Sequence, residues 1–223
     1  MRSRLIIAVL SMVFPWSIRR WLLQRFLGYR IHQRASIGLS LVLCDALVME
    51  EGSRIGHLNL IKGLRLVHLS PESHIGNLNW ITGFPVGSSH HFAHETDRAP
   101  ELVLGAHSAV TNRHLLDCTA RVSIGAFATF AGFRSQILTH SIDLEHSRQS
   151  SAPVSIGEYC FVGTDCVLLG GSSLPPRSVL GAKSLLNRSH AQPQWLYGGV
   201  PAKPLKELPG DWAYFQRTRG FVD

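Results

Sequence analysis

The chain has 223 residues, 45% of them hydrophobic and 17% charged. That length suffices for a core without disulfides or metals, and that composition excludes intrinsic disorder. Twenty-two Lys and Arg against 15 Asp and Glu leave a net charge of +7, which suits an anionic partner: nucleic acid, a phosphorylated cofactor or a membrane surface.

Residues 5–10 and 12–14 form an apolar run after Arg2 and Arg4 and stop at Pro15. The run is too short to span a bilayer, and Trp16, Arg19 and Arg20 follow where a signal peptide would carry a cleavage site. Residues 17–27 put Ile18, Trp21, Leu22 and Phe26 near one helical face, with Gly28 as the stop. A basic amphipathic segment over residues 1–30 is expected. It either packs on the domain or lies on anionic lipid through residues 5–27.

Beyond it, an aliphatic-Gly pair recurs as Ile37-Gly38, Ile55-Gly56, Ile75-Gly76, Leu104-Gly105, Ile124-Gly125, Ile156-Gly157, Val162-Gly163 and Leu180-Gly181. Between the pairs, apolar residues step by six: Ile37, Leu43, Met49, Ile55, Ile61, Val67, and again Ile156, Val162, Leu168, Leu174, Leu180, Leu186. That period fits neither a helix nor one long strand. It fits short parallel strands joined by tight corners, with glycine giving each corner its backbone freedom. Three hexads close a coil, and about seven coils stack into an all-β solenoid.

Coils 37–54 and 156–173 have 18 residues, and coils 55–74 and 104–123 have 20. Coils 75–103 and 124–155 have 29 and 32, so insertions of 11 and 14 residues leave the solenoid as loops. Loops on a rigid scaffold are where a site is expected. By this count Asp117 and Ile137 hold the same place in successive coils, at the root of the second loop. Cys44, Cys118, Cys160 and Cys166 include no Cys-x-x-Cys pair, which favours buried reduced thiols in a cytoplasmic chain.

The hexapeptide pattern over residues 31–208 resembles the hexapeptide-repeat acyltransferases, and the sugar and colanic-acid-type O-acetyltransferases in particular. The resemblance implies a left-handed parallel β-helix, acetyl-CoA as acyl donor, a saccharide acceptor, a role in polysaccharide biosynthesis and a homotrimer with sites between subunits. Residues 209–223 are left as a C-terminal tail.

Leu138-Thr139-His140-Ser141-Ile142-Asp143 in the second insertion is similar to the family's catalytic loop, which makes His140 the general base. A sugar hydroxyl attacks a thioester poorly until a base takes its proton, and imidazole ordinarily exchanges protons near neutral pH. Asp117 is the expected orienting partner, with Asp143 and Glu145 as local rivals and His114 as a second choice of base. Phe161-Val162-Gly163-Thr164 resembles the string whose amide after the glycine binds the acetyl carbonyl; this implies an oxyanion donor at Thr164, a glycine at 163 for close approach and an aromatic at Phe161 beside the pantetheine. Leu180-Gly181-Ala182-Lys183-Ser184 resembles a step whose Ala182 amide contacts pantetheine, although Lys183 stands where the family has glycine. Tyr197-Gly198-Gly199-Val200-Pro201-Ala202-Lys203 looks like the family's closing Gly-x-Pro-Ala-Lys signature, and it implies Lys203 and Arg188 as cations for the coenzyme A phosphates.

His90, His91, His94 and Glu95 in the first insertion could suggest a metal, but their Gly- and Ser-flanked run reads better as a loop bordering the acceptor cleft, and no metal is expected. Two other classes compete. A hydratase like the gamma-class carbonic anhydrases needs a His-x4-His pair that the second insertion lacks. A non-catalytic scaffold would not need His140, the Thr164 amide and terminal cations together. No nucleic-acid-binding motif occurs.

Overall fold

The computed structural model describes residues 2–87 and 90–222. Met1, Asp223 and the Ser88-Ser89 pair of the first insertion lie outside the described residues. The backbone winds as a left-handed parallel β-helix with three faces. The first face runs from Arg30–Ile31 through Ala46–Met49, Leu66–Leu69, Glu101–Leu104, Val122–Ile124 and Val154–Ile156 to Ser173–Leu174. The second runs from Ser36–Ile37 to Trp195–Gly198 and is closed by the antiparallel strand Lys203–Glu207. The third runs from Leu41–Leu43 to Leu185–Leu186. Among the described residues the first and third faces have seven strands each, in line with the expected seven coils.

Most strands of the second and third faces turn one apolar residue inward, whereas the longer strands of the first face turn two, as Leu47 with Met49 and Val67 with Leu69 do. Ile37, Ile55, Ile75, Val110, Phe130, Val162 and Leu180 stack in register along the second face, and all are buried. The hexad count slips in two places. Val42 rather than Leu43 pairs with Ile61 and points inward, because the corner after Ile37 is one residue shorter than the corner after Ile55. Asp117 pairs with Leu138, not Ile137, because residues 131–135 make a corner one residue longer than 111–114.

The repeated glycines serve a different end from the one their spacing suggests. Gly105 and Gly125 keep ordinary negative φ, but a Cβ there would lie 2.5 Å from the amide nitrogens of Ala126 and Glu158 in the next coil. Stacking at about 4.8 Å leaves no room for a side chain at that point. The left-handed conformation falls two residues later, on His107, Phe127, Tyr159, Asp165 and Lys183, at φ of 55–60°. Such residues are costly in isolation. Here each amide is held by the preceding coil, as in Phe127 N–H to Ala106 O and Tyr159 N–H to Ala126 O at 2.9 and 2.8 Å. Lys183 replaces glycine without disruption in this way, donating to Thr164 O at 3.0 Å.

A polar ladder climbs the corner between the second and third faces. Asn59 Oδ1 accepts the Asn79 amide, Asn79 Oδ1 accepts the His114 amide and His114 Nδ1 accepts the Ser135 amide, at 2.8, 2.9 and 3.2 Å. Its members are buried and satisfied.

The first coil has no coil before it, and two helices supply one. α1 (Arg2–Ser11) and α2 (Trp16–Leu27) meet at Pro15, and Gly28 ends α2 at φ 72°. Ala8, Leu23 and Leu27 plug the open end of the core. The buried Arg19 guanidinium donates to the carbonyls of Ile37, Gly38 and Ser40 at 3.3, 2.6 and 2.8 Å, which no preceding strand can satisfy. The segment therefore packs on the domain. No described helix is long and apolar enough to cross a membrane.

At the other end, α3 (Ala213–Gln216) starts a tail that runs back across the coils. The Tyr214 hydroxyl reaches Cys160 O at 3.1 Å, Arg217 bonds Phe127 O, and Phe221 stacks on His74 with ring centroids 6.2 Å apart.

Candidate active site

Both insertions leave the corner between the third and first faces, one from the coil before Asp117 and one from the coil after it. Asp117 ends the strand Leu115–Asp117 with its side chain alternating outward from the buried Leu116. The two loops fold over it, so a carboxylate that would meet solvent on a bare solenoid is only 6% exposed.

Six donors converge on that carboxylate. Oδ1 accepts from the Thr119 amide and hydroxyl at 3.1 and 2.6 Å. Oδ2 accepts from the Thr139 amide and hydroxyl at 2.8 and 2.9 Å, and from the His140 amide at 3.0 Å. The His140 ring completes the set, with Nδ1 2.7 Å from Oδ2. Burial pushes the Asp117 carboxyl upward. The hydrogen bonds from Thr119, His140 and Thr139 and the His140 charge outweigh that, and the net shift is below the usual carboxylate value. An ionised carboxylate only accepts, so His140 Nδ1 carries a proton, and in the neutral ring Nε2 is then the nitrogen with the lone pair. The His140 side chain is 40% exposed, so the ring is open to solvent on part of its surface.

Phe92 and Arg98 of the first insertion wall this pair in. Phe92 is buried and meets the His140 ring edge-on at 6.0 Å. Below it, the Arg98 guanidinium lies 4.5 Å from the Phe92 ring centre. Arg98 donates to Phe84 O, Pro85 O and Thr119 O at 2.6, 2.8 and 2.9 Å, which ties the loop to the Asp117 corner. Glu95 joins the insertions directly by accepting the Ser151 amide and hydroxyl at 2.7 and 2.5 Å. Beside these groups opens a cleft of about 460 Å³ lined by Glu95, Arg98, Ala120, Arg121, Ser151 and Pro153. Phe92 and Arg98 were missed in the sequence because a phenylalanine and an arginine in a loop have no periodic signature; their role comes from where the loop returns.

His140 and Asp117 are thus together, and the rivals are elsewhere. Asp143 pairs with His146 Nδ1 at 2.8 Å on the exposed hairpin, and Glu145 is exposed. His114 is 2% exposed, accepts the Ser135 amide and stands 2.9 Å from the Thr111 hydroxyl. Burial pushes it down to about 4. It is a ladder residue closed to substrate, so the second choice of base falls away. Among the described residues no group of three His, Cys, Asp or Glu side chains could hold a metal.

The residues expected to hold the cofactor lie at other edges. Thr164 sits at the corner between the second and third faces, where its amide meets no acceptor among the described residues. Gly163 is packed there so tightly that a Cβ would lie 2.8 Å from the Ala182 amide nitrogen. Gly199 lies two coils beyond Gly163, its carbonyl accepting the Leu185 amide at 3.0 Å and its amide donating to Ser184 Oγ at 3.2 Å; the turn to Lys203 continues from it. Gly163, Thr164, Ala182 and the approach to Lys203 therefore form one edge. Arg188 is exposed beyond the strand Leu185–Leu186, at the opposite corner of the third face. Phe161 is half-buried on the second face and has the Tyr214 ring 6.1 Å away, edge-on, so the C-terminal tail already covers part of it.

Within one chain, His140 and Thr164 stand at opposite ends of the third face. Thr164 is five residues before Leu169, the strand partner of Leu138, which is roughly 15 Å of chain at the usual strand rise.

No family model matches the sequence, and no curated protein matches it. Solved structures do match the fold. The polysialic acid O-acetyltransferase OatWY superposes with a TM-score of 0.60 at 18% identity, over 85% of this chain and 90% of that one. A hexapeptide-repeat acetyltransferase from Vibrio cholerae, complexed with acetyl coenzyme A, superposes with a TM-score of 0.50 at 17% identity, over 93% of this chain and 88% of that one.

Proposed function

We propose that the chain is an acetyl-CoA-dependent O-acetyltransferase that acts on a saccharide hydroxyl in polysaccharide biosynthesis, with His140 as general base. The observation that carries this reading is the partly exposed His140 ring, held through Nδ1 by the buried Asp117 carboxylate.

In this reaction Nε2 takes the proton of the acceptor hydroxyl as its oxygen bonds to the thioester carbonyl carbon. Negative charge gathers on the carbonyl oxygen, and the unpartnered Thr164 amide is the donor suited to it. Collapse of that adduct breaks the carbon–sulfur bond, and the proton on His140 passes to the departing thiolate. The products are the acetyl ester and coenzyme A. Asp117 stays ionised throughout and stabilises the imidazolium between the two transfers.

The proposed cofactor edge comprises Gly163, Thr164 and Ala182, with Phe161 beside it and Lys203 and Arg188 as cations for the phosphates. Because His140 and Thr164 are separated in one chain, the working site joins two chains of a homotrimer, His140 coming from one and the Thr164 edge from the next. The likeness to two hexapeptide-repeat acetyltransferases, one of them acting on polysialic acid, supports the choice of donor and of a saccharide acceptor.

The test is thiol release from acetyl-CoA against a panel of glycans that includes polysialic acid, with the ester detected by its lability to hydroxylamine. His140→Ala should lower kcat by about 10²–10⁴-fold, with acetyl-CoA KM nearly unchanged. Near-normal turnover in that variant would remove His140 from the role.

A further inference from the structure

The two N-terminal helices have a second face that capping does not use. Ile6, Leu10, Val13, Ile18, Trp21 and Phe26 all point to solvent, with Val13 79%, Leu10 60% and Trp21 57% exposed. Six exposed apolar side chains on so short a hairpin are more than a solvated surface ordinarily carries, and they point to a partner. Its chemistry limits what that partner is. The first acidic residue of the chain is Asp45, while Arg20, Arg25 and Arg30 stand among or beside the apolar groups. The Arg25 guanidinium lies 5.7 Å from the Phe26 ring, and Trp21 meets Phe26 edge-on at 6.0 Å.

We propose that this face docks on an anionic lipid surface, with both helices lying in the plane of the headgroups. Helices of 10 and 12 residues are too short to cross a bilayer, but an apolar face rimmed by arginine and tryptophan fits the boundary between headgroups and acyl chains. A second copy of the same face is the poorer occupant. A symmetric contact would set arginines against arginines, with no carboxylate in residues 1–44 to pair them. The His140 corner lies about four coils, roughly 20 Å, from the cap. The docking surface and the catalytic reading can therefore fail separately.

The experiment is co-sedimentation of the full chain with vesicles of phosphatidylcholine alone, or with about one-third phosphatidylglycerol, while lipid-free samples are sized by light scattering. Binding should be at least about tenfold stronger to the phosphatidylglycerol vesicles and weaken as salt rises. The double substitution Leu10→Glu with Val13→Glu should lower the bound fraction about tenfold or more. Arg25→Glu should lower it about fivefold or more, since an arginine near an anionic surface contributes about that factor. All three positions are solvent-facing, so melting temperature and lipid-free thiol release should stay as in wild type; if the double variant misfolds, Arg25→Glu carries the test. Equal binding to neutral vesicles, or no binding to anionic ones, overturns the proposal. A particle mass that falls in the double variant without lipid would also overturn it, by assigning the face to a second copy.

Discussion

A carboxylate that accepts six hydrogen bonds while nearly sealed from water leaves no room for an amide. In Asp117→Asn either flip of the side chain points an NH2 group at donors: at Thr119, or at Thr139 and His140. Stability should fall by about 2–5 kcal/mol, the cost of two or so buried donors losing their acceptor. The loss should depend on pH in a defined sense. The folded carboxyl lies below its ordinary value, so its contribution is complete above about pH 4, the unfolded value, and drains away as pH falls through the folded one. Urea unfolding at a series of pH values should show wild type and variant converging in acid. The same variant also tests the chemistry. An NH2 facing His140 Nδ1 turns that nitrogen into an acceptor and moves the ring proton to Nε2, where the base must be bare. Turnover should drop about 10²–10⁴-fold while acetyl-CoA KM holds. Retained turnover would show that Asp117 is structural only.

The coils obey a rule that spacing reveals only in part. The inward aliphatic residues were legible because burial at a recurring period leaves a sequence trace, as Ile55, Ile61 and Val67 show. The corner lengths left none. One residue fewer after Ile37 turned Leu43 outward and Val42 inward, and one residue more between Ala131 and Ser135 moved the partner of Asp117 to Leu138. The insertions were legible as broken phase, but their meeting over Asp117 was not, because contacts such as Glu95 with Ser151 join residues 56 apart. His114 shows the same limit. As a histidine beside Asp117 it suggested catalysis, yet its coil position makes it the rung after Asn59 and Asn79. His114→Asn should keep an acceptor for the Ser135 amide and most of the stability, whereas His114→Leu should cost about 1–3 kcal/mol. Neither should alter turnover more than a few-fold. Burial holds His114 down at about 4. Wild type should therefore lose stability as pH falls from about 6.5, where the unfolded ring protonates, toward 4, and His114→Asn should flatten that slope in thermal melts.

At the scale of the molecule, His140 and Thr164, the proposed base and oxyanion donor, occupy different edges of the prism. On that proposal a single chain carries two half-sites, each completed by a neighbour. Three-fold closure lets every His140 corner meet a Thr164 edge and leaves no half-site unmatched. Co-assembly of two inactive chains tests this. One carries His140→Ala. The other carries Gly163→Asp, whose side chain has no space at the Ala182 amide and blocks the cofactor edge. Where a Gly163→Asp chain presents its intact His140 to the intact edge of a His140→Ala chain, the site is whole. Every mixed trimer, whichever chain is in excess, holds that junction at one of its three interfaces, so about a third of wild-type turnover should return from parents that each have almost none. Subunit exchange must be real for the result to count, so the two chains are given different affinity tags and the mixed species is purified through both. If the doubly purified assembly stays as inactive as its parents, His140 and Thr164 do not serve one site across an interface. The oxyanion donor would then have to come from the His140 chain itself, within reach of the Asp117 corner.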